Sequence, residues 1–270
     1  MNALVRCSAL LLLCCISLIA QSSSESAIPP IDKIIDRVQH NIESNWNSVP
    51  AFFCDEHITA KTVVKKKVVR EGQVDSVLRA IRTKYEGGQN DFSESREIKL
   101  VNNRPPVSQD LSQLGLPVWS NGTFTGTLGA LFGAEYRPCL DFKVGGTDKL
   151  GDTAVLLLKA SVRENASSLG GRCAYDPQFH VTFWLEQNSM QVVRTQTSPF
   201  HNGRNPEGTA MTVSSEFGRI AIDGKTYWMP KRVTQELVIS PKQRKVYVAE
   251  YSNYHKFTVT TNILQYDVVE

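Results

Sequence analysis

The sequence has little of what catalysis or nucleic-acid binding requires. It contains neither the H-E-x-x-H of zinc proteases nor the G-x-S-x-G of serine hydrolases, and its five histidines lie singly along the chain. Lys and Arg number 30 against 27 Asp and Glu, so the charge is nearly balanced and gives no electrostatic reason to expect nucleic acid. These absences predict a protein that is not an enzyme, binds no nucleic acid and needs no cofactor.

Long apolar runs are also scarce, and the only one lies at the N-terminus. Arg6 precedes a continuous stretch of apolar and small residues from Cys7 to Ala20, and the polar segment QSSSES follows. A charge, a short apolar run and then small residues are typical of a secretory signal peptide. We therefore predict a signal peptide over 1–22 and a mature chain in the periplasm or secreted, with no transmembrane segment.

The N-terminal run fits two alternatives to a cleaved signal peptide less well. A membrane anchor needs roughly 20 apolar residues, and the run is shorter than that. A lipoprotein signal at Cys14 or Cys15 needs small residues before the cysteine, but Leu12 and Leu13 precede Cys14. We expect the mature chain to begin near residues 21–25 without lipid on either cysteine.

Cysteine is scarce once the signal peptide is removed. Cys54, Cys139 and Cys173 remain, and an oxidising compartment allows them one disulfide. A predicted hairpin places Cys139 opposite residues 160–162, and the loop after Val162 can return Cys173 to that end. We predict a Cys139–Cys173 disulfide with Cys54 as a buried thiol, and the competing pair is Cys54–Cys139.

The run Cys54 to His57 (CDEH) contains four potential metal-ligand types. Neighbouring residues of a strand point to opposite faces, so at most two of these side chains share a face. Two ligands are fewer than a zinc site needs, and we predict no metal here.

Apolar periodicity predicts one helix followed by many strands. A stripe at spacings of three and four from Ile31 to Trp46 predicts an amphipathic helix over 31–46. Alternating segments separated by turn residues then predict strands at 51–69, 74–87, 91–101, 139–144, 154–162, 179–186, 190–198, 209–222, 226–239 and 245–260. The turns are expected at 70–73, 87–90, 145–148, 223–224 and 240–243.

This order of elements predicts an α+β fold. We expect a curved antiparallel sheet of about ten strands, an unclosed barrel, wrapped around the N-terminal helix and a short inserted helix within 125–132. A linker at 23–30 leads into a single domain over 31–270, with an irregular insertion at 102–135. The run Lys65-Lys66-Lys67 is interpreted as the solvated end of a hairpin rather than a phosphate-binding patch.

Aromatic residues crowd the C-terminal strands. Strict alternation along 245–257 places six residues on one face: Tyr247, Ala249, Tyr251, Asn253, His255 and Phe257. An ordinary core explains this pattern, but so does an apolar cleft left by a curved sheet with few helices. The candidate groove residues are Phe183, Leu185, Trp228, Val233, Tyr247, Tyr251 and Phe257.

Three segments resemble the C-terminal half of LolA-like lipoprotein-carrier proteins: FHVTFWLEQNSMQVVRTQ, GKTYWMPKRVTQEL and YSNYHKF. The positions that carry the resemblance are Trp184, Glu186, Arg194, Pro230, Val233, Asn253, Tyr254 and Phe257. VPAFFCDEHI and GTFTGTLGALFG resemble a group of uncharacterised secreted bacterial proteins of the same build. The resemblance implies an unclosed antiparallel barrel with helices on its concave side, which carries lipoprotein acyl chains or other lipids.

Taken together, these features predict a monomeric, non-enzymatic binding protein of the periplasm or the secreted fraction. Its partner would be a lipid or a lipoprotein acyl chain held in an apolar groove, in lipid or lipoprotein transport. The alternative is a cell-envelope structural or interaction protein whose groove is filled by its own side chains. The role of the segment 102–135 distinguishes the two functions. It would be a lid over an open cleft in the binding protein and a plug that fills the groove in the structural protein.

Overall fold

In the part of the chain that the structure describes, an N-terminal α-helix accompanies an antiparallel sheet of ten strands, as the sequence predicts. The computed structural model describes residues 28–84, 90–117, 132, 136–169, 173, 179–198 and 210–258. The predicted signal peptide, the turn at 87–90 and, apart from Phe132, the inserted helix at 125–132 lie outside these residues. Within them, no helix is long and apolar enough to cross a membrane.

The helix and the strands follow one another with short connections over most of the chain. Helix α1 covers Ile31–Ser48, which confirms the predicted helix and extends it by two residues. The strands are β1 Phe52–Val64, β2 Lys67–Lys84, β3 Asn90–Val101, β4 Leu140–Leu150, β5 Thr153–Val162, β6 His180–Glu186, β7 Val192–Thr197, β8 Ala210–Ile222, β9 Lys225–Ser240 and β10 Gln243–Lys256. Short 3₁₀ turns occupy Leu111–Gln113, Arg137–Cys139 and Ala166–Leu169.

The sheet consists of two meanders joined through their end strands. Its order is β3-β2-β1-β10-β9-β8-β7-β6-β5-β4, and every neighbouring pair is antiparallel. The last strand therefore returns to the first one, because β10 pairs with β1 along almost its full length. Strands β3 and β4 form the two edges, so the sheet is not closed.

The first hairpin turns at Lys65 and Lys66, so the turn predicted at 70–73 is wrong. Both lysines have positive φ angles, 46° and 68°, as in a two-residue type I′ turn. Gly72 lies inside β2 instead, where a Cβ atom would come within 2.8 Å of the Leu116 side chain. The glycine therefore serves close packing, and the lysine run is the hairpin end.

The turn predicted at 145–148 is also wrong, because the β4–β5 hairpin turns at Gly151 and Asp152. Gly145 and Gly146 lie at a register shift inside β4, a β-bulge that continues the strand rather than ending it. Glycine in a strand is typical of such bulges as well as of turns, and the sequence pattern does not separate the two.

A bulge in β10 overturns the strict alternation predicted for 245–257. Asn253 has φ of 52°, and the register with β1 shifts between Phe53 and Asp55. The extra residue moves Tyr254 into the buried face and leaves Asn253 and His255 exposed. The alternation holds for Tyr247, Ala249 and Tyr251, which precede the bulge.

Two apolar clusters cover different parts of the sheet. The first joins Ile34, Ile35 and Val38 of α1 to strands β4–β7, and it contains Phe132 and Phe183. The second joins strands β1–β3 to β8–β10 around residues such as Phe52, Leu78 and Met229. Helix α1 buries its isoleucine stripe in the first cluster, while Trp46 near its end packs against the second.

Polar contacts fix the helix on the sheet along its length. Arg37 and Asn41 donate to the backbone oxygens of Asn188 and Ser189 in the β6–β7 turn, at 2.9 and 2.8 Å. At the other end Arg82 donates to carbonyl oxygens of the last helical turn and the residue beyond it. A cation at a helix C-terminus satisfies carbonyls that have no partner within the helix.

A disulfide joins Cys139 to Cys173, the pair that the sequence favours, with Cα atoms 5.3 Å apart. Both cysteines belong to the first apolar cluster. Cys54 is a buried free cysteine of the second cluster, and burial followed by the charge of Glu56 raises the pKa of its thiol. The thiol therefore stays protonated and behaves as a small apolar side chain.

Reduction of the disulfide is expected to lower the free energy of unfolding by about 3 kcal/mol, because the bond closes a long loop in the unfolded chain. Urea unfolding with and without a phosphine reductant measures the difference. The variant Cys54→Ala serves as control and should lose the same amount on reduction. Equal stability of oxidised and reduced protein, or a linked peptide containing Cys54 in a non-reducing digest, would contradict the assignment.

Candidate ligand cavity

A cavity of about 300 Å³ lies where strands β7 and β8 separate. These strands pair through only three residues each, at Arg194–Glu216, Thr195–Ser215 and Gln196–Ser214. Eight residues of β4–β9 line the cavity: Leu150, Thr153, Glu186, Val193, Glu216, Phe217, Trp228 and Lys231. The volume is at the lower end of that found for small-molecule sites.

Two β-bulges create the separation. The register of β6 with β7 shifts between Trp184 and Leu185, so that Val193 is the extra residue. The register of β8 with β9 shifts between Glu216 and Phe217, which leaves Lys231 as the extra residue. A bulge bends its strand and redirects side chains. Both extra residues line the cavity.

Trp228 lines the cavity and is held by three hydrogen bonds to two residues. Its indole Nε1 donates to the backbone oxygen of Val192 at 2.5 Å, which bridges β9 to β7. Its backbone N–H and C=O bond the side chain of Asn45 in α1, at 2.8 and 2.7 Å. The pairing of β9 with β10 has ended at Arg232, so Asn45 takes the place of a neighbouring strand.

The charged side chains of the cavity are two carboxylates and one ammonium. Glu186 accepts a hydrogen bond from Ser189 Oγ at 2.5 Å. Among the described residues, neither this carboxylate nor Glu216 or Lys231 belongs to an ion pair. Gly218 leaves room for the Lys231 stem, since a Cβ atom there would lie 2.5 Å from Lys231 Cε.

Arg194 lies beside the cavity with part of its guanidinium unsatisfied. Its guanidinium carbon is 5.1 Å from the centre of the Trp184 ring, and one η-nitrogen donates to Gln196. Its Nε is buried and has no hydrogen-bond partner in the part of the chain that the structure describes. A buried donor without a partner is uncommon and places unused hydrogen-bonding capacity next to Val193 and Glu216.

A second polar cluster lies on the buried face of β1–β3, away from the cavity. Glu56, whose side chain is fully buried, accepts hydrogen bonds from Arg96 Nε at 3.0 and 2.8 Å and from Ser76 Oγ at 2.7 Å. Burial opposes the charge of the guanidinium, but the adjacent carboxylate outweighs it and raises the pKa of Arg96. The guanidinium therefore keeps its charge, and it satisfies the buried Glu56 side chain, a structural arrangement rather than a reactive one.

Tyr247 and Tyr251 surround this pair. Burial raises the pKa of both phenols, and the Glu56 carboxylate raises it further. Their hydroxyl groups therefore keep their protons and act as neutral core groups.

The seven groove candidates lie in different parts of the sheet that the structure describes. Only Trp228 lines the cavity. Phe183 and Leu185 are fully buried in the first cluster, and Tyr247 and Tyr251 are buried in the second. Val233 is half-buried against the second cluster, and Phe257 is half-buried just after β10, where its N–H donates to Ala51.

Sequence reasoning missed the residues that line the cavity beside Trp228. Val193 follows Val192 directly, and this break in alternation is the one visible sign of the bulge in β7. Phe217 and Leu150 carry no comparable sign. Among the residues that the structure describes, no group of three or more potential metal ligands occurs, at Cys54–His57 or elsewhere.

No family model matches the chain, and no curated protein matches it in sequence. Solved structures are similar to it at low sequence identity. A DUF1329 family protein from Desulfovibrio piger is 11% identical with a TM-score of 0.40, over 87% of this chain and 96% of that one. A LolA superfamily protein from Nitrosomonas europaea is 13% identical with a TM-score of 0.39, over 90% of this chain and 100% of that one.

A third solved structure is a putative outer membrane lipoprotein-sorting protein domain from Vibrio parahaemolyticus. It is 11% identical, with a TM-score of 0.38, over 83% of this chain and 92% of that one. The structural neighbours of this chain thus include a protein of the LolA superfamily.

Proposed function

We propose that the protein is an exported, non-enzymatic binding protein that holds a lipid or the acyl chain of a lipoprotein. The observation that carries the proposal is the cavity between β7 and β8, built by two bulges whose extra residues, Val193 and Lys231, both line it. Bulges are concentrated near functional sites because they redirect side chains at the cost of ladder hydrogen bonds. Transport of such a ligand between membranes agrees with what the sequence resemblance implies.

The lining of the cavity suits an amphiphile. Leu150, Val193, Phe217 and Trp228 provide apolar surface for part of a hydrocarbon chain. Charged groups stand at the same cavity, and Arg194 beside it retains an unsatisfied Nε. An apolar lining with a few polar groups is the common composition of small-ligand sites. In this proposal the chain lies along the apolar residues while the polar end of the ligand meets the charged ones.

The cavity is bounded on one side by the two neighbouring strands that share the fewest residue pairs among those described. Three residue pairs hold β7 to β8, whereas β8 pairs with β9 from Ala210 to Ile222. Because few pairs need to break for β7 and β8 to separate further, the sheet can open between them at the lowest cost in free energy. A ligand longer than the cavity enters there.

The alternative function is that of an envelope structural or interaction protein with a self-filled groove. The observation in its favour is the complete burial of Phe183, Leu185 and Tyr247 within the two apolar clusters. Native mass spectrometry of protein purified from its own host separates the two. A co-purifying lipid supports the binding role, and a clean apo mass supports the structural one.

The substitution Val193→Phe is expected to weaken the binding of a fluorescent fatty acid at least tenfold. The larger side chain occupies cavity volume that the hydrocarbon needs, and a tenfold loss corresponds to about 1.4 kcal/mol of binding free energy. The melting temperature should be unchanged or higher, because the new ring fills existing space. Fluorescence titration and a thermal melt measure both quantities.

Val246→Phe provides the matched control, since Val246 is a half-buried valine of β10 outside the cavity. This variant should bind the fatty acid as the unmodified protein does. Equal affinities for Val193→Phe and the unmodified protein would show that the ligand does not occupy the cavity.

A further inference from the structure

The structure brings two basic hairpin ends together at one end of the sheet. Strand β1 ends beside the start of β10, with Val64 opposite Gln243. The backbone N–H of Lys65 donates to the oxygen of Lys242 at 2.8 Å, which ties the β1–β2 turn to the β9–β10 turn. Six basic residues, which we call the basic tip, therefore lie side by side although they are far apart in sequence: Lys65, Lys66, Lys67, Lys242, Arg244 and Lys245.

Little negative charge offsets the basic tip. Arg244 pairs with Glu236 at 3.1 Å. The five lysines form no ion pair with any residue that the structure describes. The whole chain has a formal net charge of only +3, so the tip is a local concentration of charge and not a share of a generally basic surface.

Exposed valines accompany these charges. Val68 and Val69 in the first residues of β2 are 52% and 61% exposed, and Val238, opposite Arg244 at the end of β9, is 37% exposed. A surface that combines several cations with exposed apolar side chains matches the interface of an anionic bilayer, where cations meet headgroups and apolar groups enter below them.

The turn at the basic tip uses residues that its backbone disfavours. Lys65 and Lys66 occupy the two positive-φ positions of a type I′ turn, for which Asn or Asp followed by Gly is preferred. The β8–β9 hairpin of the same protein follows that preference with Asp223 and Gly224, at φ of 51° and 73°. Two lysines in this conformation cost backbone stability, and a requirement for charge at this point accounts for their presence.

We propose that the basic tip docks the protein on the surface of an anionic lipid bilayer. Lysine and arginine side chains contact the headgroups, and Val68 and Val69 enter the interfacial layer. The tip contains no aromatic side chain on which nucleic-acid bases could stack, which favours a bilayer over single-stranded nucleic acid. Docking is independent of the cavity, since it requires no bound acyl ligand.

Co-sedimentation with vesicles tests the proposal, using protein purified from its own host with its N-terminus established by intact mass. Vesicles of phosphatidylcholine with about 30% phosphatidylglycerol carry negative surface charge and should bind the protein. Pure phosphatidylcholine vesicles should not bind it. Binding should fall steeply when salt rises from about 0.1 M to about 0.5 M, because salt screens the attraction.

The double variant Lys65→Asn/Lys66→Gly should bind anionic vesicles roughly 25-fold more weakly, about fivefold for each cation removed. This variant replaces the turn by its preferred sequence, so its melting temperature should be equal or higher and misfolding cannot explain the loss. Val68→Ser/Val69→Ser should also weaken binding but leave its dependence on salt unchanged.

Lys143→Asn/Lys149→Asn is the matched control, because it removes two exposed lysines of β4, an edge strand that four strands separate from β9. It should bind as the unmodified protein does. The proposal would be overturned if this control lost as much vesicle binding as Lys65→Asn/Lys66→Gly, or if Lys65→Asn/Lys66→Gly lost none. It would also be overturned by equal binding to neutral and anionic vesicles, or by binding to an oligonucleotide but not to vesicles.

Discussion

The substitution Ile35→Asp is expected to lower the free energy of unfolding by about 5 kcal/mol. Ile35 is 4% exposed and lies with Ile34 and Val38 between α1 and strands β4–β7. An aspartate there loses the apolar burial and introduces a carboxylate with no partner in the first cluster. Denaturant unfolding followed by circular dichroism measures the loss.

His40→Asp is the matched control for this prediction. His40 lies on the exposed face of α1, so the change introduces the same residue into the same helix without burying it. Its effect should stay within about 1 kcal/mol, as is usual for surface positions. A melting temperature for Ile35→Asp equal to that of the control would show that the helix does not pack on the sheet as described.

The substitution Glu56→Gln is expected to lower the free energy of unfolding by about 4 kcal/mol. The change is nearly isosteric, but it removes the negative charge that satisfies Arg96, which is largely buried on the same face of the sheet. Removing one partner of a buried ion pair leaves the other charge uncompensated, and this is where most of the cost arises. Urea unfolding at neutral pH checks the size of the loss.

The double variant Glu56→Gln/Arg96→Met distinguishes a charge effect from a packing effect. It removes both charges and keeps an acceptor for Ser76, so it should be more stable than Glu56→Gln alone. Asp141→Asn is the exposed comparison, because Asp141 and Arg163 pair at 3.0 Å with both side chains roughly half exposed. That change should cost less than about 1 kcal/mol. A double variant no more stable than the single one would contradict a charge effect.

Much of the fold follows from local sequence patterns. The isoleucine stripe predicts α1 because burial of one helical face requires apolar residues at spacings of three and four. Asp223-Gly224 predicts its hairpin because few other pairs adopt two successive positive φ angles at low cost. The disulfide pair follows from the same local reasoning, because a single hairpin brings Cys139 close to the loop that carries Cys173.

The errors share a physical cause. Gly72 and Gly145 suggest turns because glycine permits unusual backbone angles, but here one makes room for Leu116 and the other belongs to a bulge. The real turn at Lys65 and Lys66 has no favourable local signal. Its position is determined by the register of β1 against β2 and β10, that is, by pairing between distant segments.

The sequence by itself determined the class of fold, the helix and most strands, because these depend on the period of apolar residues along the chain. Only the tertiary structure decided where the sheet opens and which charges meet. Bulges at Val193 and Lys231 shape the cavity, and the return of β10 to β1 assembles the basic tip. Both depend on how each strand is aligned with its neighbour, and alignment is a property of paired strands that no single segment encodes.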